Sequence, residues 1–302
     1  MRTPFLLASL GLLASAADPK PSDAPARPFD CGTGTKSADQ SYLDTIQQLH
    51  DGKAKGSLAA RAAELAVRDD PIKIQAVFHV VTTNAAKDSI TNAMPQAQLD
   101  TLNAAYNPYN IQFELQNVTW NTNDAWAVGK GDDDKNMKQT LRQGTYKTLN
   151  LYFQTDLSGG VLGRCTLPST LNPSTKGNTS SYANDGCNIN ANTMPDGRMD
   201  GFNEGMTAVH ETGHWLGLLH TFEGYSCDGP GDYIDDTPVE KTATNGCPTN
   251  PKKQSCPDQQ KAGESDPIHN YMDYSIDACY ERFTDLQVKR MRSMWGMFRD
   301  GN

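Results

Sequence analysis

The chain has 302 residues, 37% hydrophobic and 21% charged, the balance of a globular protein with enough length to bury a core. A formal net charge of −9 argues against nucleic acid and against an anionic membrane surface as partner, since both reward a basic face. After the first residues no apolar run approaches the roughly 18 residues needed to cross a bilayer.

In chain order, Met1 and Arg2 lead into a mostly apolar run from Phe5 to Leu13, followed by the small residues Ala14, Ser15 and Ala16. That is the layout of a secretory leader, expected to span residues 1–17, so the protein is expected to be secreted. Residues 18–70 begin polar and proline-rich and carry one amphipathic stretch, 38–67, with Leu43, Ile46, Leu49, Leu58 and Leu65 near helical spacing. Between a leader and a compact domain this segment reads as a propeptide. At Ile72 the texture changes: Ile72, Ile74, Ala76, Phe78 and Val80 alternate with the two-residue period of a strand, opening a globular domain over 71–302.

A helix is expected over 95–106, a strand around Ile111, Phe113 and Leu115, a helix over 132–143 and a strand over 149–155. Residues 161–166 and 187–191 read as short edge strands, and 206–219 as a helix. Gly, Pro, Asp and Cys then accumulate, so 221–278 should be irregular, before a closing helix over 283–299.

Seven cysteines in an exported chain imply disulfides and one thiol left over. Cys31 lies far from the other six, which fall between Cys165 and Cys279; three bridges and one free Cys31 is the simplest arithmetic. The order of pairing stays open on sequence alone. Asn117 and Asn178 begin glycosylation sequons that suit the same compartment.

The chemistry concentrates in one eleven-residue window, His210 to His220, which holds three of the six histidines. Residues four apart on a helix share a face, so His210 and His214 can aim two imidazoles at one zinc ion. Glu211 sits beside them as a general base for a zinc-activated water, and can return the proton to the leaving amine of a peptide bond. Gly217 permits positive φ, so the helix can end and bring His220 round as a third ligand. Three protein ligands leave a position open, as a catalytic zinc site requires. Met206, Val209, Leu216 and Leu219 are core-facing residues of the same helix. A thiolate is a strong zinc ligand, so Cys31, in the Arg27-to-Gly32 stretch of the propeptide, can fill the open position and keep the protein a latent zymogen.

The spacing of the three histidines, followed by Asn270-Tyr271-Met272-Asp273-Tyr274, resembles the metzincin metallopeptidases. Met272 looks like their Met-turn methionine. Tyr274 resembles the tyrosine that can donate to the developing oxyanion. Within that clan the chain is similar to the pappalysin-like, or cytophagalysin, family and to fungal extracellular metalloproteases, through 205–210, 220–222, 235–238, the Met-turn, and 279–291.

The resemblance implies an α+β fold: an upper subdomain of twisted, mixed five-stranded sheet with helices, a lower irregular disulfide-held subdomain with the C-terminal helix, and a zinc cleft between. It implies an endopeptidase acting as a monomer on protein or peptide substrates, bound in extended form along residues 160–168. It also implies the bridges Cys227–Cys256 and Cys247–Cys279, with Cys165–Cys187 remaining, and calcium at Asp232 and Thr237. Relatives selective for basic residues carry an acid immediately before the last clustered cysteine; here that position is Ala278, with Asp277 one earlier, so basic selectivity does not carry over. Two rival readings keep the zinc motif: a secreted binding protein or adhesin without turnover, which would not need Glu211, and a zinc amidase on small substrates, which the third histidine and Met-turn oppose. A serine or cysteine hydrolase lacks its nucleophile, for no Gly-x-Ser-x-Gly occurs and Cys31 has no evident catalytic context.

Overall fold

The computed structural model describes residues 29–51, 70–169 and 180–300. The leader expected at 1–17, the second half of the 38–67 stretch and Asn178 lie outside them. In chain order the elements are α1 (Gln40–His50), β1 (Ile72–Thr82), α2 (Met94–Tyr106), β2 (Ile111–Thr122), α3 (Asp124–Val128), α4 (Asp132–Leu141), β3 (Leu149–Gln154), β4 (Gly163–Cys165), α5 (Ser180–Asn184), β5 (Cys187–Asn190), α6 (Met206–Trp215) and α7 (Asp285–Met294).

The strands form one mixed sheet in the order β2-β1-β3-β5-β4, with β1 parallel to β2 and β3, β3 parallel to β5, and β4 antiparallel to β5. β1 sits inside the sheet, which is why its alternating pattern gives way to burial of every residue from Ala76 to Thr82. β3 is buried throughout for the same reason. Helix α2 carries the crossover that two parallel neighbours require.

Two expectations need correction. β5 is not an edge strand: it lies between β3 and β4, all four of its residues are buried, and β4 is the last of the five strands at that end. The helix expected over 206–219 stops at Trp215, because Gly217 takes a φ of 92° and the N–H of Leu218 turns back to the carbonyl of Gly213 at 2.9 Å.

One face of the sheet and α2 enclose Phe78, Val80, Tyr106, Leu151 and Phe153, and α6 adds Val209 and Trp215 to the same core. The 69 residues between α6 and α7 contain no α-helix and no strand beyond isolated bridges. Two disulfides tie that irregular half, Cys227–Cys256 and Cys247–Cys279, while Cys165–Cys187 joins β4 to β5; Cys31 is free and buried. The closing helix begins at Asp285, where Thr284 and Gln287 form a reciprocal capping box, and continues past α7 as a short π-helical turn, Trp295–Arg299.

Arg299 then reaches back into the core. Its guanidinium lies 3.5 Å from the Trp215 ring, pairs with both oxygens of buried Asp185, and its Nε donates to the Trp215 carbonyl at 3.0 Å. The turn that follows α7 is thereby fastened to the end of α6, where the site is built.

Candidate active site

Helix α6 lies against the β4 end of the sheet and is wholly buried from Thr207 to Trp215. It aims His210 and His214 into the cleft between the sheet and the irregular half, and the turn at Gly217 brings up His220. The three Nε2 atoms converge, with His214 3.1 Å from both His210 and His220. Each opposite nitrogen is held. His210 Nδ1 lies 2.8 Å from the Tyr271 carbonyl, His214 Nδ1 2.8 Å from the Leu218 carbonyl, and His220 Nδ1 3.4 Å from the Glu223 carboxylate.

A carbonyl only accepts, so the Nδ1 atoms of His210 and His214 carry the protons and their Nε2 lone pairs face inward. Burial, and then the neighbouring histidines, push His210 well below its usual pKa and His214 down to about 3, which keeps both rings neutral. Inward lone pairs this close repel one another unless a cation lies among them. The donor set therefore fits a metal ion, and three imidazole nitrogens suit zinc.

Glu211 is fully buried beside the histidines. Burial raises its pKa to about 8; the Cys31 thiol, Arg164 and Thr33 pull it back only in part, and neither carboxylate oxygen completes a hydrogen bond in the cleft. It lies tight against the edge strand: a Cβ on Gly163 would come within 2.3 Å of Oε1, so that strand position requires glycine. Met272 is buried with its sulfur against Gly213, between the two helical histidines; its N–H donates to the Asn270 side chain at 2.9 Å, and its carbonyl accepts from Thr221, directly after His220.

The cleft also holds residues 29–35. Cys31 Sγ stands 3.5 Å from His214 Nε2, and the ligand atoms of Cys31, His210, His214 and His220 all lie within 4.8 Å of one another. The flanking backbone runs along β4: the N–H of Leu162 donates to Asp30, that of Gly32 to Gly163, and Cys31 pairs with Gly163 in the parallel sense. Tyr274 grips the same residue, its hydroxyl accepting the Cys31 N–H at 3.0 Å and lying 3.2 Å from the Cys31 carbonyl and 3.3 Å from His220 Nε2. Farther on, Tyr42 and Ile46 of α1 are fully buried against Leu219, Met294 and Phe298.

The remaining sequence candidates lie elsewhere. Asp232 is buried in the irregular half and burial raises its pKa to about 7, with Thr237 and Arg290 opposing; its Oδ2 and the Thr237 hydroxyl complete no hydrogen bond. Asn117 is exposed on β2, its Nδ2 donating to Gln143 at 3.1 Å.

Other contributors have no signature in sequence. Thr221 donates to buried Glu240 at 2.6 Å, and Lys253 bridges Glu240 and Asp266 behind the third histidine. Glu223 was the findable one, since a residue three beyond His220 returns to it across a tight turn.

Among known proteins, the family model of peptidase M43, described as pregnancy-associated plasma protein-A, matches residues 131–295. An extracellular metalloprotease of Neurospora crassa is 42% identical over 294 residues, 95% of this chain and 96% of the relative. One of Aspergillus fumigatus is 46% identical over 301 residues, 90% of this chain and 89% of the relative. Two solved structures from Tannerella forsythia share the fold. A promirolysin point mutant has a TM-score of 0.66 at 25% identity, covering 88% of this chain and 93% of that one. Mature mirolysin in complex with a cleaved peptide has 0.63 at 27%, covering 76% and 93%.

Proposed function

As the chain belongs to the peptidase M43, pappalysin-like family of metalloproteases, we propose that it is a secreted zinc endopeptidase made as a latent precursor, with His210, His214 and His220 as ligands and Glu211 as general base. The observation that carries the reading is the convergence of three Nε2 atoms, two of them lone-pair-inward, beside a buried carboxylate. A leader over 1–17, a propeptide over 18–70 and a catalytic domain over 71–302 complete the layout.

A bound zinc would supply Lewis acidity, lowering the pKa of a water in the open position to roughly 7. The chain's own groups do the rest. Glu211, buried beside the three histidines, accepts the proton of the attacking water and delivers it to the leaving amine. The Tyr274 hydroxyl, freed from Cys31, donates to the negative charge growing on the scissile carbonyl oxygen. Once the propeptide has left, substrate backbone takes up the side of β4 that residues 30–32 occupy here, where main-chain N–H and C=O groups at 162–165 give grip without demanding a sequence. Met272 packs beneath the histidines and takes no part in the chemistry.

Latency follows from the residues that now fill this track. The Cys31 thiol would be the fourth ligand in the precursor, and Tyr274 and β4 hold its backbone in place. Removal of the propeptide then frees the metal position and the strand edge together. Two finer assignments belong to the same reading: calcium bound by Asp232 and Thr237, both with an oxygen free of hydrogen bonds, and a glycan on exposed Asn117.

The test is the matured protein incubated with denatured protein substrate, with and without a chelator. Cleavage that chelation stops and added zinc restores is expected; cleavage indifferent to chelation contradicts the proposal.

A further inference from the structure

Cys31 is not the deepest residue that the precursor segment places in the cleft. Phe29, only 3% exposed, inserts its ring beside the metal position, 5.0 Å from His210, 4.7 Å from Tyr274 and 5.8 Å from Phe202 between ring centroids. Met199 and Ile276, partly buried, pack against the same apolar cluster that holds Phe29, Phe202 and Tyr274. The residue that could give this region a charge is otherwise engaged: Asp277 is 2% exposed and its Oδ2 accepts the backbone N–H groups of Glu204 at 2.8 Å and Met206 at 3.4 Å, at the start of α6.

Phe29 belongs to the segment whose removal the maturation reading requires, so the mature enzyme would present this pocket empty beside a ligand histidine. We propose that the Phe202–Met199–Ile276 pocket is the specificity pocket of the enzyme, and that it selects a large apolar side chain (Phe, Leu, Met or Tyr) at the substrate residue flanking the scissile bond on the His210 side. The inference rests on the peptidase reading and adds the substrate class to it.

The pocket is open to a chain of either direction. Residues 30–32 run parallel to β4, and a substrate laid the other way meets the same walls, because Phe202, Met199 and Ile276 belong to the catalytic domain. An apolar side chain leaves water for a matching surface, whereas a lysine or arginine would bring a charge into it. A pocket of this kind discriminates by roughly ten- to a hundredfold in kcat/KM.

The experiment uses mature enzyme obtained from the full-length precursor and a peptide library varied on both sides of the cleaved bond, read by mass spectrometry. The proposal expects Phe, Leu, Met and Tyr enriched at one flanking position by about tenfold or more over Lys, Arg and Asp. In Ile276→Asp, that enrichment should fall and basic residues should gain at the same position, with the profile elsewhere unchanged, while Ile276→Leu keeps the wild-type profile. The wild-type profile alone decides the matter if Ile276→Asp folds poorly. Robust cleavage with a flat profile overturns the pocket assignment. So does a preference for Lys or Arg, which would mean that substrate reaches Asp277 Oδ1, a buried oxygen with no hydrogen-bond partner. Absence of cleavage across the whole library overturns the peptidase reading and this inference with it.

Discussion

The Met272 sulfur occupies the space that a side chain at position 213 would need: a Cβ on Gly213 would lie 2.5 Å from it. Gly213 falls between the two helical histidines, where alanine would favour the helix by about 1 kcal/mol. The close approach of Met272 outweighs that preference. Gly213→Ala should therefore lower stability by about 1–3 kcal/mol, the usual range for overpacking, and reduce metal retention. Denaturant unfolding measures the first and metal analysis the second. A variant more stable than the wild type would mean that Met272 yields easily.

Glu223 should matter to metal binding although it is no ligand. Its carboxylate faces His220 Nδ1 at 3.4 Å and fixes which nitrogen of the ring faces inward. Glu223→Gln should weaken zinc binding by about 10- to 100-fold, as loss of such outer partners does. Competition against a chromogenic chelator reads this out, and unchanged affinity would remove Glu223 from the site. The same carboxylate accepts both the N–H and the hydroxyl of Thr35, so the variant precursor should also release residues 29–37 more readily, visible as faster limited proteolysis.

Cys31→Ser should give a precursor that cleaves peptide before processing and matures itself sooner, because the thiol beside His214 is lost and only Phe29, Tyr274 and the β4 pairing are left to hold the segment in the cleft. Activity assayed on freshly purified precursor decides it. If the variant stays as silent as the wild type, latency comes from the bulk of residues 29–50 in the cleft and on the Leu219–Met294–Phe298 face.

Asp277 supplies a pH signature. Burial raises its pKa from 3.8 to about 7, against the lowering pull of the Glu204 and Met206 N–H groups. A raised acid pKa contributes stability that is complete below 3.8 and is lost as pH rises through about 7. Relative to Asp277→Asn, the wild type should lose up to about 1.4 kcal/mol of stability per pH unit across that window. Unfolding free energies of both proteins at several pH values test this, and a pH-independent difference between them would contradict it.

Much of this was legible in the sequence, and for identifiable reasons. The histidine window announces itself because ligand spacing on a helix is local, and β1 because its alternation is local too. The order of β4 and β5 was not legible, since both are short and nothing in their composition says which is covered. Nor was the stop at Trp215, although Gly217 carried the signal for it. Arg299 on Asp185, Lys253 on Glu240, and Phe29 against His210 join positions far apart in the chain, and a buried charge or ring looks the same in sequence as an exposed one. The role of Phe29 emerges only once the segment is seen lying along β4.

The most direct measurement of the central claim pairs two readings on Glu211→Ala in the mature protein: zinc content by mass spectrometry and the rate of peptide cleavage. The account predicts zinc content equal to the wild type's, because the three histidines are untouched, with a rate lower by roughly 10²- to 10⁴-fold, because the proton acceptor is gone. Wild-type turnover by a zinc-loaded Glu211→Ala protein would contradict it.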